Sequence, residues 1–415
     1  MPPTIYIALR FITSRKRSLV LSLLGVCFGV AFFVLTQAQT QGFERYFIQT
    51  ILGSSGAIVI TDRYQPRYTG FEDTKDAAFI SSSGQQRRKY YEGTTNPNLL
   101  MRVARKFSSV KACAPVLKGN ITMRSALHTE IASAQGIDLK LHLNATSLGQ
   151  QIVEGSIDEF RNVPYSLMVG ELLSQRLQIG AGDTISVIGA DGKSQSFRVA
   201  AVYRSGVNSI DESRVYFHLN ILQNLLEKPQ TVSEIIVSMR EPDRAPALAK
   251  HFESLFFHRS RSWQERESGN LQIFFALRLS AAITVSLVIL LAGFGIFNIL
   301  TMSVLEKVRE IAILRSMGYQ RRDISAIFLW QGFIVATLGS LLGAASGALL
   351  TFAVSRIPLR VRGILYADSF IVHWSIWHYV YASGIAFLAV LLASYFPARR
   401  AANLAPVDTL RGSGQ

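Results

Sequence analysis

Charge is scarce in this sequence. Asp, Glu, Lys and Arg make up 17% of its 415 residues, while hydrophobic residues make up 49%. A soluble globular domain carries about 25% charged residues. The deficit is concentrated in four windows: Ser18 to about Gln39, Leu279–Leu305, Ile324–Ser355 and about Ser369–Phe396, the last with only His373 and His378 near its start. Each is long enough to cross about 30 Å of hydrocarbon as a helix, which takes about 20 apolar residues. One such window fits a buried helix of a soluble protein; four together do not.

Other absences narrow the chemistry. There are two cysteines, Cys27 in the first window and Cys113 far outside it, so no intrachain disulfide framework is expected. Cys113 lies in the apolar stretch VKACAPVL and reads as a small buried hydrophobe. No G-x-x-x-x-G-K-[ST] loop occurs, nor H-E-x-x-H, paired C-x-x-C or G-x-S-x-G. The seven histidines are scattered; His251 and His258 are seven apart on an expected helix and share no more than its face. The apolar windows hold almost no ionisable groups, which ion-coupled transporters place there to mark their pathway. Nucleotide binding by this chain, metal-dependent chemistry and ion-coupled transport are all disfavoured. No catalytic residue, metal or cofactor is expected.

The net charge of +15 does not point to nucleic acid. Arg10, Arg15, Lys16 and Arg17 precede the first window, which places the N-terminus in the cytoplasm by the positive-inside rule. The 306–323 loop and the tail with Arg399, Arg400 and Arg411 then share that side. These three segments hold about half of the excess. The loop carrying Arg356, Arg360 and Arg362 is a local exception. That loop adds +2, and the region between the first two windows keeps the remaining +5, which reads as solvated surface charge in preference to a face for anionic lipid headgroups.

The expected architecture is a membrane protein with four transmembrane α-helices and a large α+β extracytoplasmic domain between the first and second. Residues 1–17 form a cytoplasmic segment, with Ile5, Ala8, Leu9 and Ile12 at helical spacing. This is either an interfacial amphipathic helix or a basic stop signal. Span 1 covers 18–40. Its apolar run of about 18 residues exceeds the roughly 7–15 of a signal peptide, so it reads as an uncleaved anchor. The outer domain covers 41–278, span 2 279–305, a cytoplasmic loop 306–323, span 3 324–355, an outer loop 356–368, span 4 369–396 and a cytoplasmic tail 397–415.

Within the outer domain, AIVIT (57–61), ITMRSAL, TEIASAQGID and SEIIVSM (233–239) read as strands. Residues 96–110 and 243–256 read as helices, the first capped by Asn96 or Asn98. Residues 64–98 form a polar insertion. Residues 165–219 read as an inserted β-rich subdomain with a hairpin at Asp191-Gly192. Both membrane-proximal ends, QTQGFERYFIQTILG and SWQERESGNLQIFFALRL, look helical and continue spans 1 and 2 outward.

The most informative stretch is EKVREIAILRSMGYQRRDI, 306–324. Its first eighteen residues hold eight charged side chains between two long uncharged spans. Glu306 with Arg309 and Lys307 with Glu310 are opposite charges three apart on a helix. Val308, Ile311, Ala312 and Met317 supply an apolar face, Arg315 adds charge, and Gly318 stands where a left-handed cap ends a helix. A solvated loop needs neither a rigid helix nor an apolar face; a docking helix for a cytoplasmic partner needs both. In span 3, Gly339, Gly343 and Gly347 at spacing four offer a face for close helix packing.

Residues 306–350, EKVREIAILRSMGYQRRDISAIFLWQGFIVATLGSLLGAASGALL, resemble the signature of the FtsX/MacB-type permease family of ABC transporters. The tail FPARRAANLAPVDTLR and the opening ALRFITSRKRSLVLSLLGVCFGVAFFVL fit the same family, with Ala312 where a Gly often stands. Within it, GFERYFIQTILGSSGAIVITD (42–62) is similar to the LolC/LolE subunits of the lipoprotein-releasing complex. The polar 64–98 insertion has no counterpart that can be mapped onto them.

The resemblance implies a multi-pass protein of a bacterial inner membrane, paired with a second permease subunit as a homo- or heterodimer. ATP is bound by a separate cytoplasmic ATPase docked on Glu306, Lys307, Arg309, Glu310, Ile311, Arg315 and Gly318. Outer domains act on lipoprotein cargo at the outer leaflet, with a periplasmic carrier receiving it. Two other readings are an exporter working with a periplasmic adaptor and outer-membrane duct, and FtsX-like signalling to a cell-wall hydrolase.

Overall fold

A computed structural model describes residues 3–13, 16–63, 93–94, 96–190, 192–357 and 370–403. The polar insertion (apart from its last residues), Asp191, most of the 356–368 loop and most of the tail lie outside the described residues.

In chain order, α1 (Pro3–Thr13) and α2 (Lys16–Ser55) precede β1 (Ile58–Arg63) and α3 (Pro97–Ala104). The long strands β2 (Val110–Arg124) and β3 (Thr129–Ile137) lead to α4 (Leu139–Ala145), β4 (Ile152–Gly155), α5 (Ile157–Asn162) and β5 (Ser166–Gly170). Then come α6 (Glu171–Leu177), β6 (Thr184–Ile188), β7 (Ser194–Tyr203), α7 (Asn208–Asp211), β8 (Arg214–His218) and α8 (Leu219–Leu225). β9 (Glu234–Met239), α9 (Ala245–Phe256), β10 (His258–Ser262) and α10 (Trp263–Arg266) close this part. α11 (Ser268–Glu306), α12 (Val308–Ser316), α13 (Arg321–Ser355) and α14 (Ile376–Ala402) follow.

The chain divides into two compact units. The first holds residues up to Tyr46 together with Gln272–Leu359 and the C-terminal helix. Among the described residues four helices are long and apolar enough to cross a membrane: Leu19–Ser55, Ser268–Glu306, Arg321–Ser355 and Ile376–Ala402. Their shared core includes Val26, Val30, Ile289, Ile296, Phe328, Ala336, Ala386 and Ala398. Apolar side chains such as Leu291 and Phe294 stay exposed, as expected where lipid replaces water as the solvent.

α1 is more than a surface helix. Ala8 is fully buried and Phe11 packs on Phe328, ring centroids 6.5 Å apart. Leu9, expected on the apolar face, is exposed, and the side chain of Ile12 lies outside the described residues. The buried stripe is Ile7, Ala8 and Phe11 because α1 packs against α13.

The second unit, Phe47–Leu271 among the described residues, is the α+β domain. Among the described residues its ten strands form one sheet in the order β10-β1-β9-β2-β3-β8-β5-β7-β4, with β6 paired to β2 and β7. Two apolar clusters serve it. One gathers Ile58, Ile60, Cys113, Val237, Phe252 and Trp263; the other gathers Leu117, Met123, Leu167, Val187, Phe197 and Phe217. The β-rich stretch 165–219 therefore has neither a separate core nor a separate sheet: its cluster includes Leu117 and Met123 of β2, and β8 runs parallel to β3 with Gln135 opposite Tyr216.

The expected hairpin forms between β6 and β7, with Gly192 at φ 70° where a side chain would be strained. The helix expected over 96–110 stops at Ala104, and Val110 already begins β2. Asn96 precedes it in a left-handed conformation without a side-chain cap. His258 belongs to strand β10, so it shares no helix face with His251.

Candidate functional site

The 306–323 segment is shaped by local rules. α11 ends at Glu306 and α12 starts one residue later, with Lys307 breaking regular helix at φ −99°, ψ 14°. The Ile311 amide still donates to the Lys307 carbonyl, 2.9 Å, so the break is a bend and not a loop. At the far end Gly318 takes φ 99°, and the Tyr319 amide donates to the Leu314 carbonyl at 3.2 Å, which satisfies one of the last helix carbonyls. Gln320 and Asp323 then form a reciprocal capping box that starts α13. Every stop and start is thus set by a residue inside the segment.

The inner face of α12 is short. Ile311 and Ala312 are buried, and Leu314 and Tyr319 pack against the same core. The Lys307 ammonium lies 2.8 Å from both carboxylate oxygens of Glu310 and 4.6 Å above the Phe11 ring. An Arg315 Nη1 hydrogen bond to the Ala402 carbonyl, 3.4 Å, ties the other end to α14. The helix is therefore held at both ends and along one face.

The opposite face departs from the sequence reading. Met317, grouped by sequence with Val308, Ile311 and Ala312 on one apolar face, is 72% exposed, and Ile313 is 49% exposed. With Arg309 they stand at spacing four, so one stripe carries Arg309, Ile313 and Met317, with Glu310 and Ser316 beside it. Ile311, assigned to partner contact, is an internal anchor instead. Ile313 lies off the stripe of Ile311 and Ala312 that faces the core. The spacing of Arg309, Ile313 and Met317 was the signal available. Two large exposed apolar side chains beside charges on a fixed helix suit a protein-docking face.

The glycines of α13 meet α2. A Cβ added at Gly339 would lie 2.8 Å from Val26 Cβ, at Gly343 2.7 Å from Val30 Cβ, and at Gly347 3.0 Å from Ala31 Cα. No larger residue fits at that spacing, so these positions set how closely the two helices approach. Beside α2 and α11, a cavity of about 450 Å³ is lined by Gln39, Thr40, Phe43, Phe274 and Leu277. The Phe43 and Phe274 rings meet edge-on at 5.9 Å, and Arg278 pairs with Glu44 at 3.3 Å. No group of three or more His, Cys, Asp or Glu suited to a metal ion occurs among the described residues.

Comparison with known proteins agrees with this layout. Residues 19–255 match the MacB-like periplasmic core domain and residues 282–406 the FtsX-like permease C-terminal family. The chain is 22% identical to the lipoprotein-releasing system transmembrane protein LolC of Xylella fastidiosa over 99% of both chains. It is 24% identical to the macrolide export ATP-binding/permease protein MacB of Psychrobacter cryohalolentis, covering 96% of this chain and 57% of that one. Among solved structures it matches the periplasmic region of MacB from Actinobacillus actinomycetemcomitans with TM-score 0.35 and 13% identity, over 55% of this chain and 98% of that one. The chain belongs to the FtsX/MacB-type family of ABC transporter permeases, with four membrane helices and a MacB-like extracytoplasmic domain between the first and second.

Proposed function

We propose that this chain is a permease subunit that releases lipidated proteins from the outer leaflet of a bacterial inner membrane. Both chain termini face the cytoplasm. A separate ATPase docks on the Arg309, Ile313 and Met317 face of α12 and supplies the hydrolysis; the chain itself binds no nucleotide. A second permease subunit completes a dimer. Closure of the ATPases moves α12, and the continuous helices α2 and α11 carry that motion outward.

The observation that carries this reading is the apolar cavity lined by Phe43, Phe274, Leu277 and Ile371, with the Glu44–Arg278 pair formed by the residues next in sequence to Phe43 and Leu277. Its volume falls in the range of small-ligand sites, and an apolar wall beside charge suits an acyl chain next to a polar head. The end-to-end likeness to LolC supports the same reading.

A photo-crosslinking amino acid at Phe43 or Phe274, followed by mass spectrometry, tests it. Crosslinks to acylated protein are expected; crosslinks to phospholipid alone would refute it. The MacB likeness favours a second reading, an exporter working with a periplasmic adaptor. Co-purification of an adaptor without acylated protein would select that one.

A further inference from the structure

One face of the sheet holds a polar cavity of about 440 Å³ inside the α+β domain. The other face of β1 and β9 is apolar, with Ile58, Ile60, Ile235 and Val237 in the core. On the cavity side only Val59 and Ile236 are apolar, and they form its floor. Around them stand Arg259 and Arg261 from β10, Lys118 from β2, Arg214 from β8 and Arg266 from α10.

The partners of these groups leave two charges over. Three carboxylates share the cavity, and each is engaged. Glu234 pairs with Lys118 at 2.7 Å, Asp62 accepts the Gly93 amide at 2.8 Å, and Glu267 accepts the Asn270 side chain at 2.8 Å. Arg266 donates to the Ser55 and Gly56 carbonyls at 3.1 and 3.0 Å, and Arg214 donates to the Tyr216 hydroxyl at 3.2 Å. Arg259 and Arg261 form no ion pair with any described residue. They lie two apart on one strand, hence on the same face, with guanidinium groups at the cavity wall.

Charges on an edge strand also serve to block edge-to-edge pairing. That role needs no cavity and no help from Gln135, 3% exposed, or Arg214 on strands far from the edge. Burying polar groups without a use costs stability. Side chains from six strands converging on one concave space indicate a ligand, and the surplus of cations gives its sign.

We propose that this face binds a phosphate group, with Arg259 and Arg261 as a paired fork and Lys118, Arg214 and Arg266 as the positive surround. Guanidinium forks match phosphate oxygens in geometry as well as charge. The source is either a phospholipid headgroup or a soluble phosphate. The site is independent of the cargo assignment, since it involves neither α12 nor the Phe43–Phe274 cavity.

The test is calorimetric titration of the full chain in a neutral detergent. One arm uses inorganic phosphate, the other dihexanoylphosphatidylglycerol. The variants are Arg259→Gln/Arg261→Gln and, separately, Lys118→Met, all at exposed positions. Arg198→Gln, which only breaks a surface pair with Glu159, is the control. Saturable binding that weakens at least tenfold in the double variant, and is unchanged in the control, is expected. Saturation by phosphate assigns a soluble ligand; saturation by the lipid alone assigns a headgroup; either supports the site. No saturable binding of either probe, or equal affinity in wild type and double variant, would overturn it.

Discussion

Lys307 holds its ammonium 4.6 Å above the Phe11 ring, which joins the start of α12 to α1. The same nitrogen contacts Glu310 at 2.8 Å. α12 is therefore braced by α1, a helix far away in sequence that itself packs against α13. Glu310 is half exposed, so its pair with Lys307 adds only about 0.3–0.5 kcal/mol. Glu310→Lys should leave thermal stability within a few degrees and abolish stimulation of the partner ATPase. Retained stimulation in that variant would refute the docking assignment.

Ile313 and Met317 provide a sharper test. Both are exposed and contribute little to folding. Ile313→Asp with Met317→Asp should lower ATPase co-purification at least tenfold. Ile311→Asp, at a buried position, should instead destabilise the protein by about 3 kcal/mol or more. Comparing melting temperature with pull-down yield separates the two effects.

Gly343 and Gly384 make a matched pair on membrane helices. A Cβ at Gly343 would meet Val30 and the Cys27 carbonyl within 3 Å, while one at Gly384 meets nothing within 4 Å. Gly343→Val should cost about 1–3 kcal/mol through overpacking. Gly384→Ala should be neutral or slightly stabilising, because it replaces a flexible residue within a helix. Thermal unfolding in detergent distinguishes them.

His142 gives the α+β domain a pH dependence. It is fully buried beside Tyr216, and neither ring nitrogen has a hydrogen-bond partner among the described residues. Burial, aided by the Arg214 charge, pushes its pKa down to about 3 from 6.5. The unfolded chain then binds a proton that the folded domain refuses. The stability is complete above pH 6.5 and falls as pH drops towards 3, by at most about 1.4 kcal/mol per pH unit. Amide exchange in β2 and β3 should quicken from pH 7 to pH 5, after correction for intrinsic rates. His142→Leu should remove most of that change.

Cys113 is buried at the centre of the β1/β9 core, and its thiol is pushed up to about 11. Burial is the main cause, partly offset by Arg105. Little thiolate exists at neutral pH, and the sulfur is covered. Maleimide at pH 7.5 should label Cys113 only after denaturation. Rapid labelling of the folded protein would show that this core opens.

Much of the membrane part was legible because lipid imposes long uncharged helices and the 306–323 segment carries its own caps. Gly318 and the Gly339–Gly347 stripe were readable since their spacing follows directly from helix geometry. What escaped depends on contacts distant in sequence. The burial of Ala8 requires α13. The union of 165–219 with the main sheet requires Ser133 to find Arg214. Strand β10, HRSRS, has no apolar side to its alternation, so nothing in it signals a strand. Its arginines gain meaning only beside Lys118 and Arg214.

The central claim is that ATP-driven motion at α12 frees acylated protein from a bilayer. Its most direct measurement reconstitutes this chain with its ATPase, and a second permease subunit where one co-purifies, in liposomes bearing a fluorescent triacylated protein. ATP is then added with a soluble acceptor outside. Release that requires ATP and is lost in Ile313→Asp/Met317→Asp is the expected result. ATP hydrolysis with the acylated protein still in the membrane would contradict the account.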